Sequence, residues 1–255
     1  MAVGEGFVLR ARVRDLVVEA LSPTRCAGCE RPGVLLCRRC LEAIEPIDPR
    51  HSCLRCGAPH GDVLCTECLP MERGAAQGAA SAEQLGRCLA AASFEGPLPR
   101  IIRTYKDAGE RRLAPLLAEL MADAARHAEA VAPDRYGGLV GEADAIVFVP
   151  ATAAAFRRRG FDHMEAVARE LSRVACVPLC DALAKRGSGD QRALGRDERL
   201  RGACGLYHVV EDVAGRRLLL VDDVITTGAT VRAAAGALSE AGASRVDVLA
   251  LARVW

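Results

Sequence analysis

Four CxxC pairs, crowded into residues 26–68, constrain this chain more than any other feature. They run Cys26-x2-Cys29-x7-Cys37-x2-Cys40 and then Cys53-x2-Cys56-x8-Cys65-x2-Cys68. A CxxC turn aims two thiolates at one point, and two such turns supply the four tetrahedral ligands of a structural Zn²⁺. Gly28, Gly33 and Gly57, with Pro32 and Pro59, are the turn-forming company this needs. A region so short and polar buries too little apolar surface to fold unaided, so metal would supply much of its folding energy. Two zincs, one per consecutive set of four, are expected. An interleaved pairing, first pair with third and second with fourth, has compatible spacing. Four thiolates leave no open position, so either arrangement is structural and not catalytic. Disulfides or redox-active pairs are the competing reading. His51 and His60 lie nearby, but the cysteines already fill two sites, so both are read as surface histidines.

The compartment decides between metal and disulfide. No stretch approaches the roughly 18 apolar residues of a membrane span. Arg10, Arg12 and Arg14 are followed by Asp15 and Glu19, without the apolar core or cleavage site of a signal peptide. Residues 7–21 look instead like a short amphipathic helix ending before Pro23. A cytoplasmic protein without membrane insertion is expected, with its thiols reduced. The net charge of +1 provides no global field toward nucleic acid or membrane, although a local basic patch is allowed.

Beyond the cysteines, residues 71–86 (MERGAAQGAASAEQLG) are rich in small residues and read as a linker. This divides the chain into a module over 1–74, with the N-terminal helix, and a larger domain over 75–255. Within the larger part, residues 111–132 have apolar positions at helical spacing and stop before Pro133. Residues 143–150 (ADAIVFVP) suit a buried strand, 162–175 a helix, 215–223 (GRRLLLVDD) a strand, 230–241 a helix and 244–252 a strand. Strands alternating with helices imply an α/β fold built on a parallel sheet.

The segment VDDVITTGAT, residues 221–230, ends one of those strands and opens the next helix. A loop in that position presents free backbone amides and the positive helix end to an anion. Gly228 permits close backbone approach, and Thr226, Thr227 and Thr230 add hydroxyl donors beside Ala229. Asp222 and Asp223 cannot bind phosphate. They suit ribose hydroxyls, or a metal between sugar and pyrophosphate.

This string resembles the phosphoribosyl pyrophosphate (PRPP) motif of type I phosphoribosyltransferases. The resemblance implies a parallel sheet flanked by helices, with Asp222 and Asp223 on the ribose hydroxyls. It places the 5′-phosphate on Thr226, Thr227, Gly228, Ala229 and Thr230, and brings Mg²⁺ in with the pyrophosphate. The whole chain is similar to the ComF family, in which a cysteine-rich zinc module precedes a phosphoribosyltransferase-like domain. Supporting segments are residues 104–110 (TYKDAGE), Val149-Pro150 with Arg157-Arg158-Arg159-Gly160-Phe161, and Gln191-Arg192 before Asp197-Glu198-Arg199. In two places the chain departs from it. After Val149-Pro150 it continues Ala-Thr-Ala-Ala-Ala, plainer than the family's usual continuation. Arg-Gly-Phe-Asn-Gln of the family reads Arg159-Gly160-Phe161-Asp162-His163 here, an acid and an imidazole for two amides.

PRPP brings several negative charges, so cations are needed. The Tyr105-Lys106 pair matches the family pattern and nominates Lys106. The family's pyrophosphate loop implies amides from Ala151 and Thr152, with Arg157, Arg158 and Arg159 near. That arginine run also reads as a solvated helix start. Residues 185–201 (KRGSGDQRALGRDERLR) suit a closing lid, a surface loop or a nucleic-acid contact. Two functions follow from the resemblance. One is Mg²⁺-dependent transfer of phosphoribosyl from PRPP to an acceptor that the sequence does not identify, linked to DNA uptake. The other is a non-catalytic PRPP or nucleotide sensor that binds single-stranded DNA and competence proteins. Few aromatics weigh against extensive base stacking.

Overall fold

The structure, a computed structural model, describes residues 23–61, 64–66, 68, 85–185 and 206–255. The expected helix over 7–21 and the arginine-rich segment beyond Lys185 lie outside these residues. In chain order the elements are a short helix α1 (Arg38–Glu42), β1 (Leu85–Ser93), α2 (Leu98–Lys106), α3 (Leu113–Val131) and α4 (Pro133–Tyr136). There follow β2 (Ala145–Phe148), α5 (Ala153–Arg159), α6 (His163–Ala175), and the antiparallel pair β3 (Leu183–Lys185) and β4 (Tyr207–Val209). The chain closes with β5 (Arg217–Ile225), α7 (Ala229–Glu240) and β6 (Arg245–Arg253). Among the described residues no helix is long and apolar enough to cross a membrane.

Strands β1, β6, β5 and β2 lie side by side in that order, all parallel. The central strands read as near-continuous apolar runs because both of their faces are covered. Leu218 through Val221 are all buried, as is β6 from Val246 to Arg253. Alternation along the strands then sorts two cores. Leu219, Val221, Leu249 and Leu251 meet α2, α3 and α6 through Ile101, Leu117, Met121 and Leu171. Leu218, Leu220, Val248 and Ala250 meet α7 and the β3–β4 pair through Val231, Ala234, Leu238 and Tyr207. The helices at 111–132, 162–175 and 230–241 and the strands at 143–150 and 244–252 fall within two residues of their expected bounds. The strand expected to end at Asp223 continues to Ile225.

Three strands were not anticipated, β1 and the short β3 and β4, and of these only β1 belongs to the main sheet. The chain from Leu85 to Ser93 reads LGRCLAAAS, which lacks both alternation and β-branched residues. It is a strand because β6 offers an equally small partner surface, pairing Ala90 with Ala250 and Ala92 with Ala252. Its outer edge is occupied by the cysteine module. The Ile47 amide donates to Ala91 O at 3.2 Å, Ser93 N to Glu45 O at 2.9 Å, and Cys88 N to Leu54 O at 2.7 Å. The module thereby covers what would otherwise be an open sheet edge. Gly57 makes the contact possible, since a Cβ there would sit 3.0 Å from Ala90, and its φ of 68° favours glycine.

Candidate phosphate-binding site and metal centres

The cysteines assemble as two consecutive sets, Cys26, Cys29, Cys37 and Cys40, and Cys53, Cys56, Cys65 and Cys68. Within each set the sulfurs all lie within 4.8 Å of one another. The Cys29–Cys37 and Cys56–Cys65 sulfurs are 3.7 Å apart. A tetrahedron with Zn–S bonds of about 2.3 Å has an edge of about 3.8 Å, so both sets fit a bound metal. The interleaved pairing that spacing allowed is not the one the fold makes, and no described cysteine is disulfide-bonded. A backbone amide also bonds a sulfur, Cys37 N donating to Cys26 Sγ at 3.3 Å. The hydrogen bond with Cys56 holds the Cys53 thiol below its ordinary value. His51 and His60 belong to neither set and are exposed.

At the C-terminal edge of the sheet, β5 runs through Asp222 and Asp223 into Thr226, Thr227 and Gly228, and α7 begins at Ala229. Gly228 caps that helix with φ 72°, where a Cβ would also lie 2.7 Å from Arg232 Nη1. Thr226, Thr227, Ala229 and Thr230 are exposed around it. The first-turn amides of α7 have no partner within the helix and carry its positive end. Arg232 donates to Thr227 O at 2.9 Å, holding one loop carbonyl back toward the helix.

The two carboxylates differ in surroundings. Asp223 Oδ2 is ion-paired to Lys106 Nζ at the end of α2, and accepts from His163 Nε2 at 2.6 Å. Its Oδ1 accepts from Val224 N at 2.6 Å. Burial raises Asp223, but the His163 and Lys106 bonds outweigh it and hold the acid below the usual range. Asp222 is pushed up by burial and by the neighbouring Asp223 charge. Cys88 and Tyr207 lie in its surroundings, and Lys106 and, more weakly, Lys185 partly offset the rise. The pair thus offers one firmly ionised carboxylate and one that resists ionisation.

His163 is the residue that substitutes for the family's glutamine, and it is buried at 7 % exposure. Arg159 Nη1 lies 3.3 Å from its Nδ1. Arginine only donates, so Nδ1 accepts and the ring proton sits on Nε2, pointing at Asp223. Asp162, the other substitution, caps α6 by accepting from Met164 N at 2.9 Å and Glu165 N at 3.2 Å. Its second oxygen accepts from Ala151 N at 2.6 Å. The amide expected to face pyrophosphate is therefore engaged within the protein. The Thr152 hydroxyl caps α5 by accepting from Ala155 N at 3.1 Å. Arg157 is exposed, whereas Arg159 is turned inward, with its Nε buried and unpartnered.

The geometry brings Asp222, Asp223, Lys106 and residues 226–230 to one sheet edge. Sequence reasoning named Arg159 only as one of an arginine run, and passed over Arg232 and Arg253 entirely. Arg232 had a faint signal, an arginine one turn into a helix that opens on a phosphate-type loop. His163 was visible only as a departure from the family pattern.

Residues 154–254 match the family model described as Phosphoribosyl transferase domain. The chain is 29% identical over 239 residues to the DNA utilization protein YhgH of Escherichia coli K12, covering 91% of this chain and 97% of that protein. Over 166 residues it is 31% identical to Competence protein F of Haemophilus influenzae, covering 62% of this chain and 68% of that protein. Among solved structures, the glutamine PRPP amidotransferase of B. subtilis overlaps 54% of this chain and 25% of its own length, at 23% identity. Its TM-score is 0.35. Fold and site define a phosphoribosyltransferase-like protein with a parallel sheet flanked by helices and two four-cysteine centres. The chain belongs to the ComF family.

Proposed function

We propose that the chain binds PRPP at the β5–α7 edge and, with Mg²⁺, transfers its phosphoribosyl group to a nucleophilic acceptor. The observation that carries this reading is the ionised Asp223, locked between Lys106 and His163 on the strand that leads into a glycine-capped helix end. The helix end and loop amides would take the 5′-phosphate. The carboxylates of Asp222 and Asp223 would take the ribose hydroxyls. Oxygen donors of this kind suit Mg²⁺, which would supply charge neutralisation to the departing pyrophosphate. Lys106, now paired with Asp223, is placed to exchange that partner for a phosphate oxygen. The remaining contribution of the protein is orientation of C1′ toward the acceptor. In the metal centres, Zn²⁺ held by each set of four cysteines would serve folding and not chemistry.

A second reading is a PRPP or nucleotide sensor that contacts single-stranded DNA. The exposed Arg157 and Arg158 on α5, beside the site, support it, together with the names of the DNA utilization and competence relatives. Calorimetric titration with PRPP, with and without Mg²⁺, tests the shared premise. Binding is expected to need Asp222 and Asp223, and its survival in the doubly substituted Asp222→Asn, Asp223→Asn protein overturns the site. Pyrophosphate release across a panel of bases and amines then separates the readings. Silence with every acceptor, alongside salt-sensitive binding of single-stranded DNA, favours the sensor.

A further inference from the structure

Arg253 ends β6 and is buried at 3 % exposure. Its guanidinium reaches two loops that are far apart in sequence. Nε donates to Cys56 O at 3.1 Å, and Nη2 lies 3.8 Å from Cys56 Sγ. Nη1 donates to Thr226 O at 2.5 Å and lies 3.4 Å from Ile225 O. Cys56 belongs to the second cysteine set, and Ile225 and Thr226 are where β5 becomes the phosphate loop. The neighbouring Val254 amide adds a bond to Ile225 O at 2.9 Å.

The direction of these carbonyls matters. In a planar trans peptide the C=O of one residue and the N–H of the next point opposite ways. Drawing the carbonyls of Ile225 and Thr226 toward Arg253 therefore turns the amides of Thr226 and Thr227 away from it. Arg232 does the same for the next peptide by holding Thr227 O, which turns out the Gly228 amide. Two arginines thus orient three successive amides. A lysine could not replace Arg253, because only the rigid planar fork reaches both loops at once. A four-thiolate zinc centre carries a net negative charge, so a guanidinium beside Cys56 Sγ is also electrostatically placed.

We propose that Arg253 is a positioning residue that makes the second cysteine set a working part of the phosphate pocket. Metal on Cys53, Cys56, Cys65 and Cys68 fixes the Cys56 turn, that turn fixes Arg253, and Arg253 aims the loop amides. Emptying this set loosens the loop. The consequence for ligand rests on the reading of the loop as the 5′-phosphate pocket, but the coupling itself does not.

Hydrogen exchange on the full chain tests it, comparing the zinc-loaded protein with Arg253→Lys and with Cys65→Ser. Amides in peptides spanning 225–230 are expected to exchange about tenfold faster or more in both variants, while peptides from α3 stay unchanged. Metal analysis should find Arg253→Lys still holding both zincs, so its faster loop cannot be blamed on metal loss. If Cys65→Ser proves unfolded throughout, Arg253→Lys decides alone. Wild-type loop exchange in Arg253→Lys overturns the proposal, as does a protected loop in a folded Cys65→Ser protein that lacks the second zinc. Ribose 5-phosphate affinity, measured on the same samples, should fall about tenfold with the loosened loop. A loop that responds in a wild-type protein blind to both ribose 5-phosphate and PRPP would leave the coupling standing and remove the pocket reading.

Discussion

Asp222 and Asp223, adjacent on β5, should respond in opposite ways to the same substitution. Asp222 has its acidity weakened in the fold, so its contribution to the folded state is fully present below the ordinary carboxylate value of about 3.9. That contribution is lost as pH rises through the raised folded value, and the ionised acid is then a cost. Asp222→Asn keeps an oxygen for the Asp223 amide and removes the cost. It should raise the melting temperature at neutral and alkaline pH, by roughly 2–4 °C per kcal/mol relieved, with the gain vanishing in strong acid. Asp223 is depressed, so its contribution is present above the ordinary value and lost as pH falls through the folded one. Asp223→Asn strands Lys106 and should lower the melting temperature at neutral pH. Thermal scans of both variants across pH check the opposed signs, and equal signs would refute the environments described. His163 yields a second contrast. His163→Leu removes a donor to Asp223 and should weaken PRPP binding by about 1.5–3 kcal/mol, the range for a hydrogen bond to a charged group. His163→Gln restores an N–H donor and should recover most of that loss in calorimetry. The acidic pair and Lys106 were legible because they sit in contiguous strings with a local task. His163, Arg159 and Arg253 were not, since their partners lie at Asp223, Asp107 and His163, and Cys56, positions that only the folded chain brings close.

At the scale of elements, legibility followed periodicity. Helices α3, α6 and α7 could be read because apolar positions recur at helical spacing, and β5 and β6 because buried parallel strands are continuous apolar runs. Strand β1 could not, because its alanines match either structure and only the small facing residues of β6 decide. The β3–β4 pair, three residues per strand, is too short to carry a pattern. The metal module has a structural duty that its spacing did not reveal: segment 45–54 bonds along the outer edge of β1. An uncovered parallel edge is a template for association. Stripping metal with a chelator under reducing conditions should therefore do more than unfold a small module. It should produce concentration-dependent scattering as β1 is exposed, and zinc returned at two per chain before association should prevent it. A stripped protein that loses both metals yet stays monodisperse would show that the module covers the edge without needing metal.

Across the whole molecule, the site is unevenly prepared for its proposed ligand. Its 5′-phosphate side is assembled in advance: Gly228 already holds φ 72°, Arg232 and Arg253 already restrain the loop carbonyls, and α7 presents a helix end. The pyrophosphate side is not. Ala151 N is taken by Asp162, the Thr152 hydroxyl caps α5, Arg157 is exposed, and Lys106 is paired with Asp223. Each of these must give up a partner or lose freedom before it can hold an anion, and that reorganisation subtracts from affinity. Ligand fragments should expose the asymmetry. A ligand that binds only the folded state stabilises it by about 2.7 kcal/mol at a hundred times its Kd. Ribose 5-phosphate should therefore raise the melting temperature at concentrations where Mg²⁺-pyrophosphate alone barely does. Mg²⁺-PRPP should exceed both, because the tethered ribose phosphate brings the pyrophosphate to the β2–α5 loop at high local concentration. His163→Leu should blunt the response to ribose 5-phosphate and leave the weak response to Mg²⁺-pyrophosphate largely as it was. The reverse order, with pyrophosphate the stronger fragment, would mean that the β2–α5 loop and not the β5–α7 loop is the prepared half of the site.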